Sequence, residues 1–276
     1  MTQIAEAGEI IQPGAWIEGY DPRLLRGVPK DRLDRFAMLL REKQKRQAQR
    51  QFFNLFPEET TTGLDGIVIH SRLLYPKHME FFLAGAAYRE RCFMAANRVG
   101  KTVAGAYECT CHLTGLYPAW WEGRRFEHPI RCWAVGETDE TTRDIVQLAM
   151  FGDVGFENGR KTLSGKGMVP GYVIGRPVWK RGTEDLLDTV MIKHVSGGWS
   201  KLGFKSYKQG RSAFQGTSQH LIWLDEECPR AVYDECLIRT TTVNGIIILT
   251  FTPLEGLTET VMQFMLGVGD KLAQVT

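Results

Sequence analysis

The stretch that most constrains this chain is AANRVGKT, Ala95 to Thr102, because of the two elements that flank it. Before it, Arg91-Cys92-Phe93-Met94 is a short apolar run of strand type, and after it Val103 to Leu113 reads as a helix. A loop in that setting turns backbone N–H groups inward. The helix start adds unpaired donors and the positive end of its dipole, so the junction is a cradle for anionic phosphate. Lys101 can reach β- and γ-phosphates as a flexible point charge, and the Thr102 hydroxyl is placed to ligate Mg²⁺. Against the pattern G-x-x-x-x-G-K-[ST], Ala95 stands where the first glycine is expected, while Gly100, Lys101 and Thr102 match. The expected cradle is therefore Ala95, Ala96, Asn97, Arg98, Val99, Gly100, Lys101 and Thr102.

A second stretch, LIWLDEE (Leu221 to Glu227), has four apolar residues ending in carboxylates, as a buried parallel strand does when it delivers a metal-binding acid to the phosphate end of a sheet. Asp225 is expected to hold Mg²⁺ and Glu226 to polarise the attacking water as a general base. A solvated acidic turn after a core strand is the plainer alternative for the same residues. A third stretch, GIIILTF (Gly245 to Phe251), reads as an uninterrupted buried strand that runs into Thr252-Pro253. A hydroxyl at such a strand tip, Thr250 or Thr252, can sense the γ-phosphate and couple its loss to motion; a strand-ending turn is again the plainer reading. The fold these stretches predict is an α/β P-loop NTPase with a mostly parallel central sheet flanked by helices.

Residues 1–62 read as a helical N-terminal arm, and 63–276 as the ATPase core. After Pro22 a helical pattern runs through Arg50, with Leu33, Phe36, Leu39 and Leu40 on one face and a basic run, REKQKRQAQR, at its end. Thr60-Thr61-Thr62-Gly63 is a turn-rich junction. From Leu73 to Ala87 a helix entered through Pro76 is expected; its His78 is either an adenine contact or an exposed first-turn side chain. Pro129 to Val135 reads as a strand, followed by a helix that Thr138 caps, with Asp139 and Glu140 in its first turn. Gly165-Lys166-Gly167 imitates a phosphate loop but lacks the hydroxyl residue. With Arg160, Lys161, Lys180 and Arg181 it reads first as a plain solvated loop, the alternative being a basic surface loop able to touch a phosphate backbone. Asp188 to Val195 and Phe204 to Tyr207 are further strand patterns, and Gln215-Gly216-Thr217 is expected near the nucleotide end or a neighbouring subunit. Pro229 is expected to start a helix through Thr240.

With 34 basic and 32 acidic residues the net charge is +2, so any nucleic-acid contact has to come from a local patch. No apolar run approaches a membrane span, and the N-terminus lacks the basic-then-apolar order of a signal peptide, so no membrane partner and a cytoplasmic setting are expected. The six cysteines form no C-x-x-C pair, and Cys111-His112 reads as core packing rather than a zinc site.

Taken together, YRERCFMAANRVGKTVAGAYE, FQGTSQHLIWLDEE and TFTPLEG resemble the ATPase domain of the large terminase subunit of tailed bacteriophages, over roughly residues 70 to 260. The resemblance implies an ATP-driven motor that packages double-stranded DNA, gripping its phosphate backbone, in the host cell cytoplasm. It further implies a homo-oligomeric ring partnered by a small terminase subunit and a portal protein, with ATP and Mg²⁺ as cofactors. Residue by residue it assigns Gly100, Lys101 and Thr102 to the phosphate loop, Asp225 and Glu226 to the acidic motif, Thr250 to Pro253 to the coupling motif, and Arg98 to a γ-phosphate contact from the same chain. The adenine-side position often carries Gln in the family, where this chain has His78.

Large terminases continue into a nuclease domain of the ribonuclease H type, and this chain stops soon after TFTPLEG. The expectation is ATP hydrolysis without DNA cleavage from this chain; either it is a fragment, or the nuclease lies on another polypeptide. Two rival functions stay open. A helicase-like translocase carries a similar acidic motif but needs a second motor domain, and an assembly module would bind nucleotide with little turnover.

Overall fold

The structure is a computed structural model that describes residues 29, 31–36, 38–39, 51–63, 66–157, 159–254, 256–265 and 272–275. Contacts divide the chain into two units, Met1–Gln49 and Arg50–Thr276. In the first, residues 31–36 and 38–39 are helical, as the pattern predicts; Leu40 and the basic run after it lie outside the described residues. The second unit starts ahead of the junction expected at residue 62. The reason is packing: Phe52 in the short helix Gln51–Asn54 and Phe56 just after it are buried against Tyr107. No helix among the described residues is long and apolar enough to cross a membrane.

The second unit is built on one eight-stranded sheet. In chain order the strands are β1 (Thr61–Thr62), β2 (Val68–Ile69), β3 (Glu90–Met94), β4 (Arg131–Gly136), β5 (Val154–Glu157), β6 (Arg160–Leu163), β7 (Ile174–Trp179), β8 (Leu187–Lys193), β9 (Trp199–Ser206), β10 (Leu221–Asp225), β11 (Ile246–Phe251) and β12 (Leu272–Val275). The large sheet runs β12-β3-β11-β10-β4-β9-β8-β7. From β12 to β9 every pairing is parallel, and β8 and β7 add an antiparallel edge. This is the expected α/β fold with a mostly parallel sheet. The central strands β10 and β11 are buried along their whole length, which is why LIWLD and IIILTF are unbroken apolar runs. β1 pairs with β2 and β5 with β6 as separate hairpins.

Among the described residues five helical segments cover the sheet: α1 (Pro76–Ala84), α2 (Lys101–Thr114), α3 (Asp139–Thr141, Thr142–Gln147 and Leu148–Phe151), α4 (Arg230–Thr241) and α5 (Glu259–Met265). α2 packs on one face, where Ala104, Tyr107 and Cys111 meet Trp223 and Ile248. α4 and α5 pack on the other, where Val232, Tyr233, Val261 and Phe264 meet Ile222, Leu224 and Leu249. α1 has its proline in the first turn, as expected, and α3 begins with a capping box in which Thr138 Oγ1 accepts from the Thr141 N–H. The middle of α3 is wound as a π-helix, a detail with no counterpart in the sequence pattern. All six cysteines are buried free thiols.

Candidate active site

The phosphate-loop stretch lies between β3 and α2 as the sequence predicts, at the carboxyl ends of the parallel strands. Two residues give the loop its curl. Gly100 sits at φ +87° and Arg98 at φ +63°, both left-handed, so two successive bends turn the backbone around a concavity. Alanine at Gly100 would be strained by the backbone and would put its Cβ 3.1 Å from His78 Nε2. Arg98 projects from the loop and is exposed, as are Ala96, Asn97 and Val99, while Ala95 is half-buried against the core.

Lys101, the first residue of α2, is buried. Its Nζ donates to the carbonyl of Ala96 and to Thr252 Oγ1, each at 2.8 Å. Burial lowers its pKa, and Glu226 and Asp225 oppose the shift. Thr252 Oγ1 in turn donates to Asn97 Oδ1 at 2.7 Å, so the strand tip after β11 and the loop share one hydrogen-bonded chain. Next along α2, Thr102 Oγ1 donates to Asp225 Oδ1 at 3.1 Å.

Asp225 ends β10 and is almost completely buried. Burial pushes its pKa up to about 7, against the hydrogen bond from Thr250, with Glu226 adding to the rise and Thr102 and Lys101 opposing it. Thr250 Oγ1 donates to Asp225 Oδ1 at 2.6 Å and accepts from Trp223 Nε1 at 2.7 Å. A carboxylate and a hydroxyl converging in this way form a hard oxygen donor set. That set fits Mg²⁺, which takes one or two protein oxygens and completes its shell with water and phosphate.

Glu226 departs from the strand at φ +67°, an uncommon angle for a residue with a side chain. Two backbone bonds hold it there: its N–H donates to the Thr250 carbonyl at 3.0 Å, and its carbonyl accepts from Tyr207 Oη at 3.1 Å. The turn takes its carboxyl out of the β10 line and into a cleft of about 800 Å³ lined also by Glu137, Lys208, Arg230 and Thr252. Burial raises its pKa, with Lys101 opposing and Glu137 adding, so it is more basic than a fully solvated glutamate. Glu227, the extra acid of the motif, accepts from Thr258 Oγ1.

Three expectations meet a different arrangement. His78 is neither solvated nor in an exposed first turn: its ring packs inward on Phe56, Tyr75 and Phe93 and against Gly100, forming part of the loop's floor. Burial lowers its pKa against a hydrogen bond with the Gly100 backbone. Gln215-Gly216-Thr217 is not at the nucleotide end. The segment leads into the amino end of β10 and is tied to α4 and β4 there, through Arg239 to the Gly216 carbonyl and through the His220 N–H to Arg131. Thr250 and Thr252, alternatives for one coupling role in the sequence, have separate partners, the carboxylate of Asp225 for one and the ammonium of Lys101 for the other. The sequence reading missed Tyr207 and Asn97 as partners of the acidic turn and of Thr252; the strand pattern that ends in Tyr207 was the available signal for the first.

Cys111-His112 is core, as expected, but polar core. Arg91 on β3 and Glu108 on α2 are fully buried and joined by two hydrogen bonds, one of them at 3.0 Å. His112 closes the group at 3.1 Å from Glu108 and 2.9 Å from Tyr117 Oη. This ties together the two elements between which the phosphate loop is strung.

The family model described as terminase large subunit, T4likevirus-type, N-terminal, matches residues 92–267. The terminase large subunit of Salmonella phage P22 is 39% identical in a 210-residue alignment that covers 69% of this chain and 41% of the relative. The chain therefore spans about two fifths of the length of that relative. Among solved structures, the large terminase of the thermophilic bacteriophage D6E in complex with ADP is similar at TM-score 0.48 and 13% identity, over 72% of this chain and 44% of that one. The HK97 bacteriophage large terminase is similar at TM-score 0.46 and 12% identity, over 72% and 38%. Those two likenesses are too low to bear on the site; the family match and the P22 relative are sufficient without them, and the chain belongs to the terminase large subunit family, in its N-terminal part.

Proposed function

We propose that this chain binds ATP with Mg²⁺ and hydrolyses it to drive double-stranded DNA, as the nucleotide-hydrolysing part of a phage large terminase. One observation carries the reading. Lys101, Thr102, Asp225 and Thr252, from three different elements, are joined by hydrogen bonds at one end of the sheet, with Glu226 turned into the cleft beside them.

The phosphates lie along Ala95 to Thr102, held by inward N–H groups, by Lys101, and by Arg98 reaching back from its exposed position. Glu226 accepts the proton of a water whose oxygen bonds to the γ-phosphorus as the bond from that phosphorus to the ADP oxygen breaks. Lys101 and the loop donors stabilise the charge that gathers on the departing β-phosphate oxygen. Thr102 and Asp225 would hold Mg²⁺, which would supply positive charge against that of the phosphates. Thr250 orients Asp225 and does not meet phosphate. Thr252 competes with phosphate for the Lys101 ammonium, so loss of the γ-phosphate returns Lys101 to Thr252 and pulls on the end of β11. His78 supports the loop from below. A small terminase subunit, a portal protein and a homo-oligomeric ring in the host cytoplasm complete this reading, with DNA held by its phosphates.

Steady-state ATP hydrolysis by the purified chain, with and without duplex DNA, tests it. Lys101→Ala and Glu226→Gln should each lower turnover by at least about 100-fold, with nucleotide binding retained in the glutamine variant. Turnover indifferent to both changes would refute the site. Binding without turnover in the unaltered chain would favour the assembly module.

A further inference from the structure

The sheet is covered unevenly. On the face where α4 and α5 pack, Ile222 and Leu224 of β10 stand beside Trp133 and Val135 of β4. Alternate residues share a face, so the register carries that side outward through Arg131 opposite Lys201 and Trp133 opposite Gly203, and then through Met191 opposite Lys201 and Lys193 opposite Trp199. Here α4 and α5 no longer reach, and Arg131 and Lys201 are exposed. Lys205 shares the face; its ammonium lies 4.7 Å from the Trp133 ring centre and donates to the Ala213 carbonyl at 2.6 Å. Lys193 lies 5.0 Å over the ring of Trp199, and that ring rests on Gly175, where a Cβ would approach it to 2.5 Å.

Among the described residues none of Arg131, Lys193, Lys201 and Lys205 makes an ion pair, whereas Lys161, Lys180, Arg211, Arg230 and Arg239 all do. A groove of about 410 Å³ on this face is lined by Arg131, Lys201, Lys205, Gln215 and Gln219, with Asp188 its one carboxylate. The whole chain is nearly neutral at +2, so this is a local surplus of the kind the composition requires of any nucleic-acid contact. A protein partner would want a desolvated apolar centre. Here the centre is cationic, and the large exposed hydrophobics Val178 and Trp199 lie toward the β7–β8 edge. Cations supplemented by amide donors are the complement of backbone phosphates.

We propose that the outward face of β4, β9 and β8, centred on the exposed Arg131 and Lys201, docks the phosphate backbone of double-stranded DNA; the proposal rests on the motor reading above. The surface is wired to the site. Lys205 is followed on the same chain by Tyr207, whose hydroxyl donates to the carbonyls of Asp225 and Glu226, each at 3.1 Å. Load on β9 thus bears directly on the turn that presents Glu226.

The test measures binding of a fluorescent 30-base-pair duplex by anisotropy across a salt series. It compares the unaltered chain with Arg131→Glu/Lys201→Glu and with the control pair Arg32→Glu/Arg35→Glu, which changes net charge equally at exposed positions of the first unit. The sheet-face pair should weaken binding by about tenfold or more and flatten the slope of log K against log salt by about 2, with the control near the unaltered chain. Arg131→Gln/Lys201→Gln, a milder change at exposed positions, should flatten it in the same direction. Equal losses in both glutamate pairs, or none in the sheet-face pairs, would overturn the proposal. So would failure of the unaltered chain to bind duplex, and Lys101-dependent ATP hydrolysis in the same sample would then keep the nucleotide reading standing by itself. Loss of self-association in place of DNA binding would reassign the face to a second copy of the chain.

Discussion

Thr250→Val isolates the hydroxyl that links the core to the metal-binding carboxylate. Valine keeps the shape and removes both hydrogen bonds, so the Trp223 indole N–H loses its acceptor inside a fully buried environment, and Asp225 loses its 2.6 Å donor. An orphaned buried donor costs about 1–3 kcal/mol and a lost bond to a carboxylate about 1.5–3 kcal/mol. Asp225 keeps Thr102 and the two losses share one site, so roughly 2–4 kcal/mol in total is expected. For a unit of this size that is a fall in Tm of about 5–12 °C, read by circular dichroism without nucleotide. Thr250→Ser, which keeps the hydroxyl, should recover most of it. If the function proposed above holds, the valine variant should also need about 10–100 times more Mg²⁺ for half-maximal ATP hydrolysis, because the carboxylate has lost the group that aims it. A valine variant melting within about 2 °C of the unaltered chain would refute the reasoning, since no rearrangement of a buried strand offers Trp223 another acceptor at that cost.

The remaining predictions are shorter. Gly105→Ala should destabilise the chain by about 1–3 kcal/mol, because the added Cβ falls 2.4 Å from the Trp223 ring that abuts α2; an unchanged urea midpoint would refute that close packing. Asp139 accepts from Lys180, Ser206 and Gln209, and those bonds overcome its burial and hold its pKa down at about 2. A depressed carboxylate stabilises fully above its unfolded pKa and loses that contribution as pH falls toward the folded value. The gap in urea stability between the unaltered chain and Asp139→Asn, about 1 kcal/mol once solvent screening is allowed for, should therefore shrink from about pH 5 to pH 2. A gap constant over that window would refute it. Lys101→Ala should leave the melt close to that of the unaltered chain in the absence of nucleotide and abolish the rise in Tm that ATP with Mg²⁺ produces; an equal rise in both would remove Lys101 from phosphate binding.

What was legible in the sequence follows from burial. Strands β10 and β11 are covered on both faces, so they are written as unbroken apolar runs and could be found with their carboxylate and hydroxyl tips. The phosphate loop was legible because glycine, lysine and threonine are each demanded there by a separate piece of chemistry. β5, β6 and β7 have mixed exposure and mix charged, glycine and proline positions, so they read as loop. Of the two places expected for Gln215 to Thr217, the nucleotide end fails on direction. That segment enters β10 at its amino end, and the four strand residues Leu221 to Leu224, at about 3.3 Å each, lie between it and Asp225, so closeness in sequence to the acidic motif meant distance from it in space. The exposed alternative for His78 fails because a lone histidine carries no sign of its burial; only the shell of Phe56, Tyr75 and Phe93, drawn from three segments, decides it.

The left-handed turn at Glu226 sets stability against activity at a single position. A side chain held at φ +67° costs about 1–2 kcal/mol relative to glycine, which accepts that angle freely. Glu226→Gly should therefore raise the melting temperature while hydrolysis fails, whereas Glu226→Gln should fail without the gain; equal melting of the two would argue that the turn is unstrained. A lineage released from the need to hydrolyse nucleotide would find glycine here a favourable drift. Persistence of glutamate across generations would then be a record of selection for turnover, legible at this residue more directly than at Lys101, whose loss confers no such reward.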